Sequence, residues 1–69
     1  MDDSVRLMVS DAYDETVTEA LSHDQSVLTA HKEGVVAAAM LYSAMTGIED
    51  EEAKRRIVAL GLKPDRVRE

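Results

Sequence analysis

Apolar residues recur along this chain at helical intervals, and three such stretches stand out. From Ser4 to Leu21, the positions Val5, Met8, Val9, Ala12, Tyr13, Val17, Ala20 and Leu21 follow the i, i+3, i+4 spacing of one helix face. Asp11, Asp14, Glu15 and Thr18 fall on the opposite side. Ser4 is a suitable N-cap, with Asp2 and Asp3 beside the positive end of the helix dipole. The pattern breaks at residues 22–26, where Ser22 and Gln25 have capping-box spacing and Asp24 and Ser26 are rival caps for the next helix.

The second stretch predicts a helix over residues 26–45, stopped by Gly47 in the left-handed conformation that ends many helices. Its main stripe is Val27, His31, Gly34, Val35, Ala38, Leu41, Tyr42 and Met45. Val36 and Met40 lie on the far side, flanked by Ala39 and Ser43. A helix that is apolar nearly all round is buried on more than one face. In a short chain the second face most simply belongs to another subunit. Val36, Ala39, Met40 and Ser43 are therefore the candidate interface. Ala30, Gly34 and Ala38, four apart, form a ridge of small residues suited to close helix packing. The ridge faces either the first helix or a partner chain; the spacing alone does not choose.

A third helix is predicted over residues 49–60, with Ala53, Ile57 and Leu60 as anchors and Ile48 as a staple before it. Thr46 and Glu49 also have capping-box spacing, which allows an earlier start. Gly61, Leu62 and Pro64 supply the αL residue, the hydrophobic contact and the stop. Asp50–Lys54, Glu51–Arg55 and Glu52–Arg56 are three consecutive i, i+4 pairs with the acid on the N-terminal side. Residues 63–69 read as a flexible tail or as one further turn from Pro64. The fold class expected is all-α: two long antiparallel helices plus a shorter third, in one domain over residues 1–69.

Size adds pressure toward assembly. A chain of 69 residues buries only about 60% of the surface its unfolded form exposes. The 45% apolar fraction leans on Ala, and the only aromatics are Tyr13 and Tyr42. Cysteine is absent, which excludes disulfide staples and thiolate sites. A homodimeric helical bundle is the expected answer to the missing core. The acidic opening Met1-Asp2-Asp3 is unlike a leader's basic start, and the longest uncharged run, residues 34–48, is too short to span a bilayer. A cytoplasmic location is the expectation.

The net charge of −6 hides an asymmetry: −10 over residues 1–53 and +4 over residues 54–69. Arg55, Arg56, Lys63, Arg66 and Arg68 are candidate contacts for phosphate or an acidic partner. The second and third helices also have a helix-turn-helix layout, which makes a DNA-associated transcriptional regulator the alternative reading. Against it, a recognition helix reads bases mainly with its N-terminal residues, and here those are Glu49-Asp50-Glu51-Glu52. The acidic first half also suits a protein that imitates nucleic acid or engages a basic protein face.

Other chemistry is sparse. Asp11, Glu15, Glu19 and His23 run four apart along one helix edge, but Glu-x-x-His spacing is missing and a solvated face explains them. His31 falls within the apolar stripe, either as a pH-sensitive group at a core or interface or as a neutral histidine bonded to Tyr42. No nucleophile motif, phosphate loop or metalloprotease signature occurs. The functional expectation is a small acidic, non-catalytic interaction or regulatory module of adaptor or inhibitor type. It needs no metal or cofactor, acts as a homodimer, and binds an unidentified protein rather than nucleic acid or membrane.

Overall fold

The structure, a computed structural model, describes residues 1–64 as a three-helix domain with no strand among the described residues. Helix α1 spans Asp3–Ser22, α2 Val27–Thr46 and α3 Asp50–Ala59. Capping sets the boundaries. Asp2, two residues before the expected cap, accepts the Ser4 N–H at 3.2 Å and starts α1. Ser26 opens α2 by accepting the Thr29 N–H at 3.1 Å. Glu49 precedes α3 without a side-chain cap, because Thr46 still belongs to α2 and donates its hydroxyl to the Tyr42 carbonyl.

The turn between α1 and α2 is a Schellman closure. Gln25 N–H donates to the Ala20 carbonyl at 3.2 Å and Asp24 N–H to the Leu21 carbonyl at 3.1 Å. Asp24 takes the left-handed position with φ of 64°, so it terminates α1 and is not a cap for α2. At the second turn Gly47, with φ of 77°, returns its N–H to the Ser43 carbonyl. The Ser43 hydroxyl then donates to the Ile48 carbonyl at 2.7 Å and ties the link to α3.

α2 is the central element: α1 and α3 each pack against it and not against one another. The core is Val9, Tyr13, Val17 and Ala20 from α1, Ala30, Val35, Ala38, Ala39 and Tyr42 from α2, and Ala53 and Ile57 from α3. The ridge of small residues faces α1. A methyl on Gly34 would stand 2.7 Å from Tyr13 Cδ2 and 2.8 Å from Val17 Cγ2, so the absent side chain is what lets the ring lie against the α2 backbone. Met8 and Met45, expected on buried stripes, are 50% and 40% exposed: each stands at the margin of its helix's buried face, beside the buried Val9 and near the buried Tyr42. Leu62 is half-buried and Pro64 buried after Gly61 turns the chain at φ of 70°.

Candidate functional site

The buried arc of α2 is shared between its two neighbours. Gly34 meets Tyr13 and Val17 of α1, while Val35, Ala39 and Tyr42 lie toward α3, and the described residues leave one long face of the helix uncovered. Val36 and Met40 stand there one turn apart, 47% and 63% exposed. On one side of them a shallow groove is bounded by Lys32, Glu33 and Ala37. On the other, a groove of about 240 Å³ runs between α2 and α3, walled by Ala39, Asp50, Glu51 and Lys54. Of the four residues expected at an interface, Val36 and Met40 form the exposed ridge. Ala39 is buried at the foot of the groove, and Ser43 is half-buried with its hydroxyl committed to Ile48.

No family model, curated protein or solved structure matches this chain.

His31 lies elsewhere. It is half-buried, and its Nδ1 is 2.7 Å from the Tyr13 hydroxyl, with the two rings edge-on at 75°. The partner is Tyr13, not Tyr42, because position 31 sits opposite the middle of α1, whereas Tyr42 points its hydroxyl at α3. There Arg56 Nη1 donates to it at 3.3 Å. His31 and the Val36–Met40 ridge are ~140–180° apart round α2, so the histidine and the candidate interface occupy opposite sides of the helix. His31 instead lines a groove with Val35, Ile57 and Leu62.

The charged residues of α3 sort into two flanks. Glu52 accepts from Arg55 at 2.8 Å and from Arg56 at 3.0 Å. The hydrogen bond from Arg56, then the charge of Arg55, hold the Glu52 carboxyl below its ordinary range. The same bond, helped by Tyr42, holds the Arg56 guanidinium up. Of the three expected i, i+4 pairs only Glu52–Arg56 forms. Arg55 takes Glu52 at i, i+3 instead of Glu51, and Asp50, Glu51 and Lys54 make no ion pair among the described residues. These three are the residues that wall the α2–α3 groove.

The remaining candidates do not converge. Asp11, Glu15, Glu19 and His23 are all exposed, and no group of three or more ligand-type side chains is close enough to hold a metal among the described residues. Lys63 is exposed, while Arg66 and Arg68 lie outside the described residues. No helix of the described residues is long and apolar enough to cross a membrane.

The periodicity identifies the outer face of α2, but the groove beside it was not legible in the sequence. The groove depends on which side of α2 the third helix takes, and Ala53 and Ile57 decide that by burying themselves completely.

Proposed function

We propose that this chain is a non-catalytic protein–protein interaction module of adaptor or inhibitor type, acting as a homodimer through the outer face of α2. One observation carries the reading: Val36 and Met40 are exposed side by side on the very helix that forms the centre of the core. A central helix normally spends its apolar side chains inward. α2 also exposes Leu28 and Met45 toward its ends, but Val36 and Met40 stand together between two grooves and mark a surface that another chain can dehydrate. A small domain also gains core in this way that its own length cannot supply.

The basic end of α3 gives less support to nucleic-acid binding. Arg55 and Arg56 are both engaged by Glu52, and the helix start carries Asp50 and Glu51, which repel phosphate.

Solution mass tests the proposal. Met40→Glu places a charge at the centre of the ridge without touching the core, so it should give a folded monomer with unchanged helical circular dichroism. A variant that keeps the wild-type dimeric mass would show that the face is wrong.

A further inference from the structure

The two ends of the α2–α3 groove carry opposite charge. α3 runs back along α2, so that Val35 and Ile57 line one groove together. Asp50 and Glu51 consequently stand toward Met40, and Lys54 toward Val36. None of the three is ion-paired within the chain among the described residues.

We propose that two copies of this chain pair antiparallel across the outer face of α2, the Lys54 end of each groove lying on the Asp50–Glu51 end of its partner's. This rests on the homodimer proposed above and adds its orientation and its charged contacts.

Symmetry decides between the two face-to-face arrangements. An axis perpendicular to α2 reverses the helix and keeps α3 on the same side in both copies. Met40 then packs on the partner's Val36, and each Lys54 meets the partner's Asp50 and Glu51. An axis parallel to α2 carries α3 across toward the partner's α1, so the Lys54 end of one groove no longer meets the Asp50–Glu51 end of the other. Each chain carries a net charge of −6, so association already works against repulsion. The pairing that brings opposite charges together is the one favoured. Antiparallel α2 dipoles act in the same direction.

The chain has no cysteine, so an introduced thiol is the only one present. Glu33 and Ala44 are exposed on the same margin of the outer face, ~16 Å apart along α2. Glu33→Cys and Ala44→Cys are prepared separately, then mixed under mild oxidation. Antiparallel pairing predicts a disulfide heterodimer in the mixture and none in either variant alone, where like positions stay well beyond the ~7 Å Cα limit of a disulfide. Each variant cross-linking to itself means parallel pairing and overturns the orientation while leaving the homodimer standing. A dimeric mass without any cross-link in the mixture also overturns the orientation. A monomeric mass for the wild-type chain removes the homodimer and this proposal with it. As an independent readout, Lys54→Glu should raise the dimer dissociation constant roughly fivefold at low salt, a difference that shrinks as salt screens it. An unchanged constant overturns the charged contact.

Discussion

Gly34 and Tyr13 fit together only because one of them has no side chain. A Cβ at position 34 would stand 2.7 and 2.9 Å from two carbons of the Tyr13 ring, and that ring is fully buried and held at its hydroxyl by His31. Two effects of Gly34→Ala oppose each other. Helix propensity gains about 1 kcal/mol, while forcing a methyl into a packed core costs about 1–3 kcal/mol. Here the neighbours are a pinned ring and a buried valine, so overpacking wins. Gly34→Ala is expected to destabilise the domain by about 1–2 kcal/mol in urea unfolding. A more stable variant would mean that α1 stands further from α2 than described.

The Tyr13–His31 bond gives a second expectation. With its hydrogen on Nε2, the His31 ring accepts a hydrogen bond from the Tyr13 hydroxyl at Nδ1. Tyr13→Phe keeps the ring against Gly34 and removes the bond. The half-buried imidazole can recover some hydration, so the loss should be about 1 kcal/mol, a fall in Tm of roughly 4–8 °C. An unchanged melting temperature would show that the bond adds nothing.

How far the sequence could be read is clear from these two residues. The periodicity places Tyr13 and Gly34 on the apolar faces of two helices, and the small-residue spacing marks a close approach. It leaves open whether the ridge meets α1 or a second subunit, because an α-helix carries its packing preferences without naming the partner. His31 illustrates the same limit. Its place in the stripe is readable, but its hydrogen-bond partner depends on the register of α1 against α2, which the turn at residues 23–26 sets through the Asp24 conformation. The ion pairs of α3 differ for another reason: Glu52 can reach Arg55 and Arg56 together, and a forked carboxylate serving two guanidiniums displaces the Glu51 alternative.

Asp24 is an L-residue in the left-handed region at φ of 64°, and a carboxylate beside the negative end of α1. Glycine adopts that backbone without steric cost and carries no charge. Asp24→Gly is expected to stabilise the domain by up to about 1 kcal/mol, after the larger entropy of the unfolded glycine chain is subtracted. A destabilised variant in thermal melts would point to an unrecognised role for the carboxylate.

The Glu52 carboxyl makes stability depend on pH in a defined direction. Its folded value lies below the ordinary one because Arg56 and Arg55 favour the charged form. The contribution is present above the unfolded carboxylate value and is lost as pH falls through the lowered folded value. Comparing Glu52→Gln with wild type should therefore show a difference in melting temperature near neutral pH that closes on acidification below the ordinary carboxylate range. The effect is small and salt-sensitive, as for any exposed pair. A gap that persists in acid would contradict this assignment.

In the proposed homodimer the exposed Val36–Met40 face of α2 lies between two copies of the chain. Sedimentation equilibrium of the wild-type protein over a range of concentrations tests it most directly. A dimer through this face gives a particle of twice the 7.6 kDa chain mass that dissociates on dilution. A single 7.6 kDa species at every concentration would contradict it.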